Sequence, residues 1–195
     1  MIAAHDRNRD RGPYQLRLSG AGGQGMILAG LILSEAAMRD GKNVVMTPSY
    51  GPEARLGASR AEVIISTGKI AHPEVTDPDL LLCLSRAAFD RYFPTLNDRA
   101  TAIVDSSVLK QEPIRPRGRI RLYRFPILGM VITQIGNRIV ANVVSLGIIN
   151  GLEALVSWES LRAAVRARVP ERFREMNERA LKLGRRIAEA ECRVV

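Results

Sequence analysis

The sequence predicts an α/β fold: a mostly parallel sheet between helices, continuing into a helical C-terminal part. Three observations carry this. Short apolar runs at residues 15–19, 80–84 and 101–104 have strand length, and helix-length segments separate several of them. The first run enters a helix through Gly20, Gly22 and Gly25, spaced G-x-G-x-x-G. That turn places a helix N-terminus over the end of a strand, as in Rossmann-like three-layer domains. Beyond Arg138 the apolar period is helical almost to the end.

Each element follows in order. Residues 1–13 hold His5, Asp6, Arg7, Arg9, Asp10 and Arg11 and read as a flexible basic leader. Residues 14–195 then form a single domain with C-terminal helices. The first helix spans 24–39, and Asp40 with Gly41 closes it. Residues 43–47 are a second strand. Residues 48–59 contain Pro48, Gly51, Pro52 and Gly57 and read as a structured loop at the carboxyl edge of the sheet. Residues 60–67 alternate and predict a strand antiparallel to its neighbour. The run 80–84 is a central strand, with Ser85 as the cap of a helix over 86–93. Residues 101–104 form another buried strand, followed by Asp105 as a turn or cap residue. Arg115, Arg117, Arg119, Arg121 and Arg124 make a basic edge that ends at Pro126. A helix beginning near Arg138 buries Ile139, Val143, Leu146 and Ile149. Ser157 caps the next, and a last helix over 171–191 carries only a narrow apolar stripe, the pattern of a peripheral or partner-facing helix.

Composition narrows the function. The chain has 195 residues, 46 % of them hydrophobic but only 5 % aromatic, so its core is aliphatic and base-stacking platforms are disfavoured. Lys and Arg exceed Asp and Glu by 29 to 20, a net +9 that suits nucleic acid, a phosphorylated ligand, an acidic partner or a solvated basic face. The two cysteines, Cys83 and Cys192, are far apart, too few for a cubane iron–sulfur cluster and without a disulfide framework. There is no signal-peptide stretch and no run of about 18 apolar residues, so a cytoplasmic protein without a membrane partner is expected. His72 has no companion at metal-ligand spacing. No Ser-His-Asp order, Cys-His pair or poised acid pair appears, so no catalytic and no metal residues are assigned.

The binding site expected from the residues is the glycine turn, Gly20, Gly22, Gly23, Gln24 and Gly25, with Tyr50, Gly51, Glu53 and Arg55 of the following loop beside it. Backbone amides at such a turn face an anion. The same glycines also serve tight strand–helix packing. The second strand ends Met46-Thr47-Pro48 without the acid that a nicotinamide site uses for its ribose, which argues against a dinucleotide.

Ser19-Gly20-Ala21-Gly22-Gly23-Gln24-Gly25 and Ser49-Tyr50-Gly51-Pro52-Glu53-Ala54-Arg55 together resemble the gamma subunit of 2-oxoacid:ferredoxin oxidoreductases. The resemblance continues through Pro78-Asp79, Val104-Asp105-Ser106, Asn137, Asn142 to Gly147, Asn177 to Leu181 and Gly184, and covers about residues 15–184. The Tyr-Gly-Pro-Glu-Ala-Arg loop is similar to the 2-oxoglutarate and pyruvate branches. Leu56 departs from the glycine common after that arginine. The resemblance implies a gamma-type domain without a complete active site, which helps to form the coenzyme A site of a complex that oxidises a 2-oxoacid to acyl-CoA. It further implies alpha and beta subunits holding thiamine diphosphate and iron–sulfur clusters, and ferredoxin as electron acceptor. The alternatives are a stand-alone NAD or FAD oxidoreductase and, less favoured, a nucleic-acid-binding module.

Overall fold

The computed structural model describes residues 12–49, 58–109 and 118–191. Its six strands are β1 (Tyr14–Ala21), β2 (Asn43–Ser49), β3 (Ala58–Ser66), β4 (Leu80–Cys83), β5 (Thr101–Asp105) and β6 (Arg121–Phe125), in the order β2-β3-β1-β4-β5-β6. The ladders β1–β4, β4–β5 and β5–β6 are parallel, whereas β3 is antiparallel to both β1 and β2. The helices are α1 (Met26–Arg39), α2 (Arg86–Tyr92), α3 (Ser106–Leu109), α4 (Ile127–Gln134), α5 (Ala141–Glu153), α6 (Trp158–Arg168) and α7 (Arg174–Glu191). The α/β class and the mostly parallel sheet are as the sequence predicts.

The pleat sorts the strands between two cores. Leu16, Leu18, Leu80, Leu82, Ala61 and Val63 pack with α1 and α5, while Leu81, Cys83, Ala102 and Val104 pack with Phe89 and Tyr92 of α2 and with Leu109. Cys83 is fully buried, and burial pushes its thiol up to about 12. We expect Cys83 to resist a thiol reagent in the native Cys192→Ser protein and to react at once in denaturant. Prompt native labelling would contradict this.

The polar residues of β3 have partners set by register. Glu62 faces Arg17 across the β1–β3 ladder, and Arg17 Nε donates to Glu62 Oε1 at 2.8 Å, both side chains being about 10 % exposed. Arg17 also donates to the Val75 carbonyl and lies over the Tyr92 ring. Pro48 extends β2 past the point where the sequence ends it, which an edge strand tolerates.

α6 and α7 pack on α1 and α5 rather than on the sheet, adding an outer helical layer. Every residue of α5 from Ala141 to Asn150 is buried. As its narrow stripe predicts, α7 is a peripheral helix with a polar exposed side, and the small residues in that stripe let α5 and α7 touch backbone to backbone. A Cβ built on Gly147 would meet the Leu181 carbonyl at 2.5 Å, and one on Gly184 would overlap the Val144 carbonyl. Two features differ from the sequence reading of this region. α4 is an unpredicted helix, apolar around most of its circumference and without a side-chain cap, and so lacks the amphipathic period. Ile139 lies in a 3-10 turn before α5 and is 63 % exposed rather than buried.

Asp40 links the end of α1 to the start of α6. Its carboxylate accepts from the Ser157 amide at 2.6 Å and from the hydroxyls of Ser157 and Ser160. Burial raises its pKa, but those hydrogen bonds outweigh it and hold the group below its ordinary 3.8. Hydrogen bonds from Arg168 and Arg39 similarly hold Glu35 below 4.5. Depressed folded pKa values stabilise the fold above the ordinary values, and that stability is lost as pH falls through the folded ones. The melting temperature should therefore drop on acidification below pH 4.5 and 3.8, and Asp40→Asn should flatten part of the drop. An unaltered acid limb in that variant would remove Asp40 from the account.

Candidate functional site

The turn between β1 and α1 lies at the carboxyl ends of β1, β4 and β5. Gly23 and Gly25 have φ of 85° and 73°, the left-handed region that glycine supplies without strain. The four glycines have different surroundings. A Cβ on Gly20 would overlap the Gln24 side chain, and one on Gly25 would meet Asn142 Nδ2 at 2.6 Å. A Cβ on Gly22 or Gly23 would meet nothing within 4 Å, and both residues are exposed. The packing role expected of such glycines falls instead to Gly30, where a Cβ would meet Ala61 Cβ at 2.8 Å and Met46 Cε at 2.9 Å.

Gln24 braces the turn. Its Oε1 accepts from the Ala21 amide at 2.6 Å, and its Nε2 donates to the Leu84 carbonyl at 3.2 Å, tying the end of β1 to the end of β4. Asn142, 2 % exposed at the start of α5, donates to the Gly25 carbonyl at 3.2 Å and accepts from the Val143 amide. Its amide thereby fixes the residue from which α1 starts. The signal for Asn142 in the sequence was an isolated amide side chain inside an apolar helical run. No side chain caps α1, its first turn has no acidic residue, and among the described residues the Gly22 and Gly23 amides meet no acceptor. The result, among the described residues, is a glycine turn whose Gly22 and Gly23 amides meet no acceptor at a positive helix end, braced by Gln24 and Asn142. Chemically it suits a phosphate.

Tyr50, Gly51, Glu53 and Arg55 lie outside the described residues, as do Arg115, Arg117 and Cys192. The points where their loop leaves and re-enters the sheet are described: Ser49 pairs with Arg60, and Ala58 pairs with Ala21 beside the turn. Asp105 is 1 % exposed and acts as a cap, accepting from the amides of Ser107 and Leu128, both at the start of short helices. Arg121 donates to Glu153 and Thr101, joining the β5–β6 edge to the end of α5. His72 is exposed, and among the described residues no group of three or more His, Cys, Asp or Glu is placed to hold a metal.

The topology weighs further against a dinucleotide. In nicotinamide-binding domains the second strand lies beside the first, which brings its terminal acid to the ribose. Here β3 lies between β1 and β2, so the end of β2 is roughly 10 Å from β1, two strand spacings away.

Residues 15–187 match the family model described as Pyruvate ferredoxin/flavodoxin oxidoreductase. The chain belongs to this family. Among its relatives, 2-oxoglutarate synthase subunit KorC of Methanocaldococcus jannaschii is 41 % identical over 175 residues, covering 89 % of this chain and 93 % of the relative. A crystal structure of the keto/oxoacid ferredoxin oxidoreductase gamma subunit from Geobacter sulfurreducens superposes with a TM-score of 0.82 at 42 % identity, covering 92 % of this chain and 98 % of that one. The 2-oxoglutarate:ferredoxin oxidoreductase of Magnetococcus marinus, solved with 2-oxoglutarate, coenzyme A and succinyl-CoA bound, shares the fold with a TM-score of 0.83 at 20 % identity. It covers 93 % of this chain but 32 % of its own. In the oxidoreductase family, then, this fold occurs both as a chain of this size and as part of a much longer one.

Proposed function

We propose that the chain is the gamma subunit of a 2-oxoglutarate:ferredoxin oxidoreductase and that its glycine turn receives the pyrophosphate of coenzyme A. The observation that carries this is the uncapped turn, where among the described residues a Cβ on Gly22 or Gly23 meets nothing within 4 Å while Gln24 and Asn142 brace the backbone. The choice of 2-oxoglutarate rests on the relatives named above. In this reading the complex cleaves the carboxyl group of the 2-oxoacid as carbon dioxide and passes electrons to ferredoxin. The remaining acyl group goes to the coenzyme A sulfur, whose proton is released. Thiamine diphosphate would carry the decarboxylation and iron–sulfur clusters the electrons, in alpha and beta partner subunits. On this chain the described donor set does not fit a cluster, since its one described cysteine, Cys83, is buried with a raised pKa. The turn's contribution is to bind and orient: amides of residues 22, 23 and 25–27 fix the nucleotide end, so that the thiol arm reaches the partner's reacting carbon.

We further assign residues 14–195 to one domain, with 1–13 as a leader, and place the complex in the cytoplasm. Among the described residues no helix is long and apolar enough to cross a membrane. The test is affinity purification of the tagged chain from its own cell. Alpha- and beta-type chains should accompany it, and the isolate should reduce ferredoxin only when 2-oxoglutarate and coenzyme A are both present. A chain that purifies alone, with no 2-oxoacid oxidation on reconstitution, would overturn the reading.

A further inference from the structure

Three guanidinium groups, those of Arg17, Arg60 and Arg91, surround the Tyr92 ring, with Cζ 5.2, 5.9 and 5.5 Å from its centroid. Glu62 is shared by two of them. It takes a hydrogen bond from Arg17, whereas its Oε2 is 3.8 Å from Arg60 Nη2, too long for one. Arg60 Nε is buried without an acceptor, and among the described residues the Arg60 side chain makes no hydrogen bond, although 30 % of it reaches solvent. A half-buried guanidinium with unused donors, next to like charges and one shared carboxylate, is an incomplete electrostatic arrangement. An oxyanion of two or more oxygens would complete it, because the guanidinium fork matches such groups.

Its place in the sheet says which anion. Arg60 pairs with Ser19 of β1 and Ser49 of β2, and lies two residues along β3 from Ala58, which pairs with Ala21 at the glycine turn. Two strand residues span roughly 7 Å. Arg60 faces away from α1, on the sheet face that carries Arg17 and Glu62, so it lies below and beside the turn rather than on the helix axis. We propose that Arg60 holds a second phosphoryl group of the ligand whose pyrophosphate lies at the turn. On the coenzyme A reading above, on which this inference rests, that group is the 3′-phosphate, set off from the pyrophosphate by the ribose. Arg60 is thereby the residue that distinguishes coenzyme A from its 3′-dephospho form.

The test uses the complete complex carrying wild-type, Arg60→Gln or Arg60→Lys chain, with KM measured for coenzyme A and for 3′-dephospho-coenzyme A. The wild type should prefer coenzyme A. Arg60→Gln should raise KM for coenzyme A about 10- to 100-fold and leave KM for the dephospho form within about twofold, so that the preference disappears. Arg60→Lys should retain part of it. The ratio of KM values is independent of how much of a variant folds, so it separates contact from mere bracing of Tyr92. An unchanged ratio in Arg60→Gln, with or without a lower melting temperature, would overturn the proposal, as would a wild type that does not distinguish the ligands. Failure of the underlying turn reading looks different: Gly22→Val would then leave KM for both ligands unchanged.

Discussion

Gly22→Val should raise KM for coenzyme A about 10- to 100-fold in the assembled complex while leaving the fold intact. Both halves follow from the same observation. A Cβ at Gly22 meets no protein atom within 4 Å, so the folded chain has room for it, and Gly22 is not among the residues with positive φ. The volume a valine fills is the volume a phosphate needs if the amides of Gly22 and Gly23 are to reach it. The melting temperature should move by no more than an exposed substitution moves it, about 0.5 kcal/mol in stability. A KM within twofold of wild type, in a complex that assembles normally, would remove the turn from the coenzyme A site.

The second large effect lies where α7 packs on α5. Gly184→Ala should destabilise the chain by about 3–5 kcal/mol and lower its melting temperature by roughly 6–20 °C. Even one methyl at Gly184 occupies the position of the Val144 carbonyl, and the neighbouring contacts, Gly147 Cα and Ile148 N, are both 2.9 Å from it. All are backbone atoms of α5, so no side chain can turn aside. The helices must separate, and α5 is the element whose first residues carry Asn142 against the turn. The control is Gly129→Ala on α4, where a built Cβ meets nothing; there the change should be neutral or stabilise by up to about 1 kcal/mol. Equal melting temperatures for the two variants would contradict the packing described for α5 and α7.

Much of this was legible in the sequence because it is written in local chemistry. Glycine spacing located the turn, Gly41 and Ser85 marked helix ends, and the continuous apolar run at 80–84 had the length of a strand covered on both faces. The antiparallel course of β3 was legible in its alternation, but its insertion between β1 and β2 was not, because strand order depends on pairing between residues far apart, such as Arg17 with Glu62. The roles within the turn were also hidden. Gly20 and Gly22 look alike in sequence, yet one makes room for the Gln24 side chain and the other faces open space. Gln24 read as a ligand residue, and its carboxamide instead joins β1 to β4. The peripheral place of α7 was legible in its narrow stripe, but its backbone-to-backbone contact with α5 was not, because glycine and alanine contribute little to an apolar pattern while permitting the closest approach. Arg60 carried no signal by itself. Its significance comes from a shared carboxylate and an unused Nε, which only the folded arrangement brings together.

The central claim is that the turn on this chain is where the coenzyme A phosphates lie. The most direct measurement is hydrogen exchange of the backbone amides of residues 22–27 in the intact complex, with and without coenzyme A. Apart from the Gln24 amide, which donates to the Ala21 carbonyl, these amides meet no acceptor among the described residues, so they should exchange quickly alone and become protected on addition of coenzyme A, while the α7 amides stay as they were. Exchange at residues 22–27 that is the same with and without saturating coenzyme A would contradict the account.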